Sequence, residues 1–380
     1  MRIAPTDILK TGPGIDLSTL PDGLSVRMSD PVEGMGYARN AVTLVFDLSG
    51  CEHARLAFEA KEFGDEPHAP PASPFGDEVA FDGVAVSADG AAWYEIQDLR
   101  HLRSDRFTTY DLDLDAALAQ WGLSYGPELR VRFCQVDNNP APTDGIFLYR
   151  IELTADLRAP VLDLPMDDNA ASATVRDTAA GGQDQVLIDP TGDASTAAHS
   201  VPGPNAATAL AFDGVDDRID FGPALLGDLV GADCDFTLAF WLQADDPGAV
   251  SKYFFRRAGS NAEPYLKIYL NSGCIRWQAR WSDTGYATLA SPAGLLDGRW
   301  RCVVCRRRGQ TLSLWIDGVV ADTETGPDCA RTFFADTWDP RALGQVYGTT
   351  ASDWPLALAD LRAYDRALRD EEIIALSGQV

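Results

Sequence analysis

Between Thr208 and Leu242 the chain alternates apolar and polar residues, first as TALAFDGVDDRIDFG and then, past a loop, as FTLAFWL. Short alternating runs bounded by Gly and Asp predict half-buried antiparallel strands. In the second run Phe236, Leu238, Phe240 and Leu242 share one face and belong in a core, so Thr237, Ala239 and Trp241 face the other way. The same rhythm recurs in AVTLVFDLSG (41–50), ARLAFEAKEFG (54–64), ELRVRFCQVDNN (128–139) and GIFLYRIELTA (145–155). FDGVAVSADGAAWYEI (81–96) reads as a hairpin turning at Ala88-Asp89-Gly90, because an Asp-Gly pair tolerates positive φ. DLDLDAALAQWGL (111–123) starts as a strand and ends in a helical turn, while the Pro-rich EPHAPPASP (66–74) cannot be strand interior. Residues 1 to 40 show no long period and read as an irregular arm or a first edge strand.

The two prolines of DLRAPVLDLP (156–165) mark a linker, dividing the chain into domains 1–157 and 158–380, each long enough to bury its own core. The segments 165–182 and 189–207 are rich in small residues and read as loops. The end of the chain, RDEEIIALSG, is a short helix with Gly378 as its C-cap. The expected fold is all-β: two antiparallel β-sandwiches in tandem, followed by a short C-terminal helix.

Four motifs in order, FDGVDDRIDFG, FTLAFWL, LSLWIDGVV (312–320) and LADLRAYDRALRDEEIIAL (358–376), resemble the laminin-G-like, concanavalin A-like jelly rolls of bacteria and phages. The resemblance covers the second domain. It implies a sandwich that binds glycans or proteins, with a minority of relatives hydrolysing polysaccharides. DGVAVSADGAAWY, RFCQVDNNPAPTDG and the strand that follows are similar to an N-terminal sandwich module of large bacterial surface proteins, which implies a jelly roll in the first domain too.

Charge narrows the partners. The net charge is −26, with 26 acidic against 12 basic residues up to Asp156 and 31 against 19 beyond it, so both domains repel phosphate backbones and no nucleic acid is expected. No apolar run approaches the roughly 20 residues that span a bilayer. The opening MRIAPTDILKTGPGIDL lacks the apolar core of a signal peptide. Seven scattered Cys, an odd number, do not resemble a secreted disulfide framework. Two explanations stay open, a leader that has been removed or exit without one, for example on a phage-like particle released by lysis; the odd cysteine count favours cytoplasmic assembly, with action outside the cell or on the particle surface. Cys302 and Cys305 form a C-x-x-C with no second Cys or His pair nearby, which reads as buried thiols rather than a zinc site.

No catalytic pattern emerges. Polysaccharide hydrolysis needs two placed carboxylates, and the E-x-D-x-x-E strand of the hydrolytic relatives is missing. The second domain has only Glu263, Glu324, Glu371 and Glu372. No P-loop, G-x-S-x-G or H-E-x-x-H is present. Calcium is the expected ion, since hard oxygen ligands crowd the turns, with Asp82, Asp137 and Asp144 as candidates in the first domain and Asp167 and Asp213 in the second. Each is equally an ordinary turn-forming Asp. The last-strand motif of the resembled family opens with two acidic residues, and here Ala359 replaces the first and leaves Asp360.

Residues turned away from the core supply the candidate binding set. Leu312, Leu314 and Ile316 point inward, leaving Ser313 and Trp315 outside; in CIRWQARW, Ile275, Trp277, Ala279 and Trp281 oppose Arg276, Gln278 and Arg280. Trp241, Arg276, Gln278, Arg280 and Trp315 together predict one outer face. Its indoles would stack on sugar rings and its guanidinium forks would grip carboxylate or sulfate, which suits an acidic surface glycan. The competing use of such a face is packing against the first domain or another subunit. Arg306-Arg307-Arg308-Gly309 reads as a solvated hairpin tip. The expected function is non-catalytic recognition of cell-surface polysaccharide, as a receptor-binding spike or fibre subunit of a phage-like particle, a setting in which homo-oligomers are common. The alternatives are a secreted adhesin, the carbohydrate-binding part of a larger enzyme, and a glycoside hydrolase or polysaccharide lyase.

Overall fold

Every alternating segment becomes a strand in the computed structural model of the protein, which describes residues 1–12, 14–20, 23–29, 38–64, 66–70, 72–77, 81–137, 145–204, 207–221, 235–257, 265–282, 285–330, 341–344 and 354–378. The chain divides into two compact units, Met1–Arg158 and Ala159–Val380. The first contains β1 (Arg2–Ile3), β2 (Asp7–Thr11), β3 (Ile15–Leu20), β4 (Gly23–Met28), β5 (Ala38–Phe46), β6 (Cys51–Glu62), β7 (Gly83–Ser87), β8 (Tyr94–Asp98), β9 (Thr108–Asp113), α1 (Leu114–Gln120), β10 (Leu129–Asp137) and β11 (Ile146–Leu157). Sheet I has the order β3-β4-β11-β6-β9 with β1 beside β11, and sheet II the order β2-β5-β10-β7-β8. Val42, Leu44, Val131 and Phe133 of sheet II meet Leu56, Phe58, Leu148 and Leu153 of sheet I in one core. Phe58 and Phe133 cross it edge to face, 5.2 Å apart.

Among the described residues of 1 to 40, β1 to β4 take the place of an irregular arm, and β2 and β3 lie at sheet edges, as the edge-strand alternative expected. Pairing with β5 and β11 recruits them where local periodicity gives no signal, and Val26 and Met28 are fully buried. At Asp113 the predicted strand-to-helix change occurs: its carboxylate accepts the Ala116 N–H and caps α1.

The second unit contains β12 (Leu162–Leu164), β13 (Thr174–Val175), β14 (Gln185–Ile188), β15 (Ser200–Pro202), β16 (Thr208–Phe212), β17 (Arg218–Phe221), β18 (Phe236–Asp245), β19 (Lys252–Arg257), β20 (Tyr265–Asn271), β21 (Cys274–Arg280), β22 (Tyr286–Ala290), β23 (Asp297–Arg308), β24 (Thr311–Ile316), β25 (Val319–Thr325), β26 (Arg341–Gly344), β27 (Leu356–Tyr364) and α2 (Asp370–Leu376). Sheet III runs β15-β16-β27-β18-β23-β24-β25 with β12 beside β27, and sheet IV runs β13-β14-β17-β26-β19-β20-β21-β22. The ladders are antiparallel. Leu238, Phe240, Leu242, Leu312 and Leu314 of sheet III pack on Ile219, Leu266, Ile268, Ile275 and Trp277 of sheet IV.

Helix α2 closes the exterior of sheet III. Leu368 and Ile373 pack on Ala239, Cys302, Val304, Trp315 and Tyr364, with Trp241 and Leu376 at the margin. Polar contacts fix it there. Thr237 Oγ1 donates to Arg366 O and accepts from Leu368 N–H, both at 2.9 Å, and the Arg366 guanidinium forks onto Glu372 at 2.7 and 2.9 Å. Arg306 donates to Leu368 O and to Asp370 at 2.8 and 2.6 Å, with its guanidinium 5.0 Å from the Trp315 ring. The solvated-tip reading is therefore corrected for two of the three arginines: Arg306, 8% exposed, lies beneath the helix, and Arg307, 1% exposed, turns to the opposite face of β23, its guanidinium 5.3 Å from the core ring of Phe236.

All six described cysteines are buried. Cys302 lies under α2 and Cys305 in the sandwich core, so the C-x-x-C pair points to opposite faces of β23. Burial pushes the Cys302 thiol up to about 12.

In the first unit the fully buried Asp82 pins a loop to sheet II. Its carboxylate accepts Val136 N–H at 2.7 Å and His68 N–H at 2.5 Å, with the His68 ring at 3.2 Å. Burial raises this carboxyl to about 6 against the pull of those hydrogen bonds. The folded value thus exceeds that of an unfolded Asp, so the stability linked to this proton is present below about pH 4 and is lost as pH rises through about 6, about 3 kcal/mol in all. The melting temperature of the parent minus that of Asp82→Asn should fall between pH 4 and pH 7; a difference that stays flat across that range refutes the linkage. Trp315→Ala should destabilise the second unit by about 3–5 kcal/mol, read by denaturant unfolding, since it empties the space beneath α2.

Candidate functional site

The structure separates the residues expected to form one face. Trp241 on β18 and Trp315 on β24 lie on the exterior of sheet III, whereas Arg276, Gln278 and Arg280 on β21 lie on the exterior of sheet IV, across the core. The physical reason is that alternation reports the face of a strand and not the sheet it joins. Trp315 is also only 5% exposed beneath α2, its Nε1 donating to Ser313 Oγ at 3.0 Å. The joint face is corrected to two half-sets, and the Trp315 ring is covered by the chain itself.

The sheet IV half-set stands in an unusual setting. Strands β19 to β22 read KYFFRR, YLKIYLN, CIRWQAR and YATLA, with Lys252, Arg256, Arg257, Lys267, Arg276 and Arg280 and no acidic residue. The turn Ser272-Gly273 has positive φ at both residues (52° and 72°), the geometry of a two-residue hairpin, and it fixes the β20–β21 register. Ile275, Trp277 and Ala279 then point into the core. On the other face Arg276 pairs across from Tyr269, Gln278 from Lys267 and Thr288, and Arg280 from Tyr286.

Contacts along this exterior are specific. Gln278 Nε2 donates to Thr288 Oγ1 at 2.7 Å, and Arg280 Nε to Ser282 O at 2.8 Å. The Lys267 ammonium is 5.0 and 5.5 Å from the rings of Tyr253 and Tyr269. Tyr286 is 57% exposed. Arg276 Nε is buried without a hydrogen-bond partner. Tyr286, Thr288, Tyr253, Tyr269 and Lys267 are absent from the sequence-based set, since only cross-strand pairing brings them beside β21.

A second cluster surrounds the turn between β16 and β17. Oxygens of Asp213, Asp216 and Asp217 lie within 4.8 Å of one another, as do ligand atoms of Asp189, His199 and Asp217. Asp217 is 3% exposed; its Oδ2 accepts Asp213 N–H at 2.7 Å, and its Oδ1 is buried without a partner. The His199 ring has Nδ1 2.9 Å from Ala211 O and Nε2 3.1 Å from Asp193 O. Both ring nitrogens face carbonyl oxygens, and donation to them leaves no lone pair to offer a metal. Burial opposes a charge on the ring, but the Ala211 carbonyl with Asp217 and Asp189 outweighs it and raises the His199 pKa. Burial also raises Asp217. The His-containing group is therefore an internal polar network, and the three-Asp turn is the part with the all-oxygen character that suits a hard cation.

Among the other calcium candidates, Asp82 spends both oxygens on N–H donors, and Asp167 is exposed outside either cluster. The side chain of Asp137, and Asp144 altogether, lie outside the described residues, as does Glu263. Asp360, the acidic residue that follows Ala359, accepts from Arg362 at 2.9 Å, and Arg362 also bonds Asp163 at 3.1 Å.

Among the described residues no helix is long and apolar enough to cross a membrane. Comparison with curated proteins finds no match. Distant likenesses among solved structures include the binding domain of Paraclostridial Mosquitocidal Protein 1 (14% identity, 58% of this chain and 52% of that one, TM-score 0.44). Others are the binding domains of botulinum neurotoxin serotype D (13%, 58% and 52%, 0.43) and serotype G (9%, 58% and 51%, 0.42). The chain spans about half the length of these structures. Residues 213–374 match the family model described as the concanavalin A-like lectin/glucanases superfamily. The paired antiparallel sheets of the second unit and that match agree with the motif order: residues 213–374 form a concanavalin A-like, laminin-G-like jelly-roll domain.

Proposed function

We propose that the second unit recognises an acidic polysaccharide on the exterior of sheet IV and leaves it uncut. The observation that carries this reading is the acid-free, basic run of four adjacent strands in a protein of net charge −26. Arg276 and Arg280 project on the same side of one strand and offer guanidinium forks to a carboxylate or sulfate. Gln278 and Thr288 between them supply hydroxyl-matching donors and acceptors, and the exposed Tyr286 offers a ring to stack on a sugar face. Retention without cleavage is supported by the placement of the three glutamates of the second unit that lie among the described residues. Glu372 is consumed by Arg366 and the Arg369 N–H, Glu371 lies on α2, and the exposed Glu324 sits on the edge strand β25. A protein of this kind fits attachment to a cell envelope, as an adhesin or as a spike or fibre subunit of a phage-like particle.

The orphaned Asp217 Oδ1 favours a second, supporting role for the Asp213–Asp217 turn. Asp213, Asp216 and Asp217 would hold a calcium ion there, pinning the turn that joins the two sheets at β16 and β17. Calcium should raise the melting temperature of the second unit, and Asp217→Asn should abolish the increment; an EDTA titration that leaves the melt unchanged excludes the ion.

Affinity electrophoresis of the full chain through gels holding polygalacturonate, hyaluronan or neutral dextran tests the main reading. Retardation is expected in the acidic gels, with Arg276→Ala and Arg280→Ala each lowering affinity about tenfold and Trp241→Ala having no effect. Undiminished retardation of both arginine variants, or release of reducing sugar from either polysaccharide, removes the proposal.

A further inference from the structure

The exterior of sheet I in the first unit carries a platform that the second-unit reading does not use. In the register of β4, β11 and β6, Phe147 stands between Arg27 and Lys61, and Tyr149 stands beside Glu59. Inward positions on these strands, Val26, Leu148, Phe58 and Ala60, fill the core, so Arg27, Phe147, Tyr149 and Lys61 face outward. Phe107, just before β9, and Phe63, just after β6, complete the group. The ring centroids of Phe107, Phe147 and Tyr149 are 5.8, 5.9 and 6.2 Å apart. The Lys61 ammonium sits 4.7 Å from the Phe63 ring and 4.9 Å from the Phe107 ring, and the Arg27 guanidinium 5.6 Å from Phe63.

Three features point to a ligand. The four aromatic rings are half-buried on the outside of a sheet whose inner face already holds the core, so folding does not require them there. A bulge at Arg150, with φ 52°, shifts the register after Tyr149. Among the described residues neither Arg27 nor Lys61 forms a salt bridge within 4.0 Å, even though Asp16 stands across from Arg27 in the β3–β4 register and the first unit holds 26 acids against 12 bases up to Asp156.

We infer that this platform of Phe63, Phe107, Phe147 and Tyr149 with Arg27 and Lys61 is a second glycan-binding site, which stacks sugar rings on the aromatics and pairs their carboxylate or sulfate groups with the two cations. The inference stands on the first unit's own geometry and survives failure of the sheet IV site. Single-stranded nucleic acid also stacks on aromatic and basic surfaces, but its charge density meets the acid surplus of this chain far less favourably than a glycan with one acidic group per sugar or fewer.

Isothermal titration of the full chain with a tetragalacturonate separates the cases. Two oligosaccharides should bind per chain. Phe107→Ala/Tyr149→Ala and, independently, the fold-sparing Arg27→Gln/Lys61→Gln should each reduce the stoichiometry to one or weaken one site about tenfold. Arg276→Ala/Arg280→Ala should leave the first-unit site intact. The inference is overturned if neither first-unit pair alters the isotherm, or if an oligothymidylate of similar length binds the platform more tightly than the uronate. A chain in which only Arg276→Ala/Arg280→Ala has no effect rejects the sheet IV reading alone.

Discussion

Each strand of this protein has two faces, and the period of two that fills a sandwich interior also dictates what is left outside it. Burial of the inner faces supplies the driving force, and the outer faces are then committed by register with no freedom to rearrange, since a one-residue slip would turn the core outward. In the second unit the two exteriors have opposite fates. That of sheet III carries Trp315, Cys302 and Val304, too apolar to stand in water, and α2 covers it. That of sheet IV carries Lys, Arg, Gln and Tyr at the same kind of position. One sequence rule therefore produces a packing surface on one side and a polar, basic surface on the other.

An acid surplus this large must also be managed internally. Buried carboxylates here are satisfied by backbone N–H groups or by the chain's own cations. Asp177 collects the N–H groups of Asp163, Ala179 and Gln183, Asp82 those of Val136 and His68, and Arg362 lies between Asp163 and Asp360. The His199 ring faces Asp189 and Asp217 in the same way. Against that background an unsatisfied buried oxygen stands out, because leaving it unpaired costs on the order of 1–3 kcal/mol. Asp217 Oδ1 is such an atom, which is why the three-Asp turn draws attention while the more numerous exposed aspartates do not.

Much of the fold was legible from the chain. The alternation at 236–242 placed Phe236, Leu238, Phe240 and Leu242 in the core, and Asp113 marked the strand-to-helix change by capping chemistry. The family resemblance of the second domain, read from four motifs, agrees with the match over residues 213–374. The first forty residues were legible only as far as a possible edge strand, since short strands such as β2 gain their conformation from β5 rather than from their own pattern. The candidate site was legible by face and illegible by sheet. Trp315 and Arg280 each turned away from the core as expected, yet nothing in LSLWI or CIRWQAR says that β24 joins sheet III and β21 sheet IV. Arg306 and Arg307 depart from expectation for a related reason: three arginines at a hairpin tip read as solvated, whereas α2 covers Arg306 and the core side of the sheet buries Arg307 beside Phe236.

The two outer surfaces, one in each unit, share a composition that single-site recognition does not demand. Isolated exposed aromatics are ordinary, and a cation over a ring contributes about 0.5–1 kcal/mol at an exposed position. Neither term alone makes a tight site. Weak sites on linked modules become effective against a ligand that repeats, because the second contact forms at the high local concentration set by the first. A repeating acidic polymer satisfies that condition and a discrete small molecule does not. Under the proposed function, the aromatic and basic residues at Phe107, Tyr149 and Lys61 in one unit and at Tyr286, Arg276 and Arg280 in the other would suit a chain-like ligand better than a pocket-bound one. On this argument affinity should reside in the number of contacts along the polymer rather than in the depth of any single cleft.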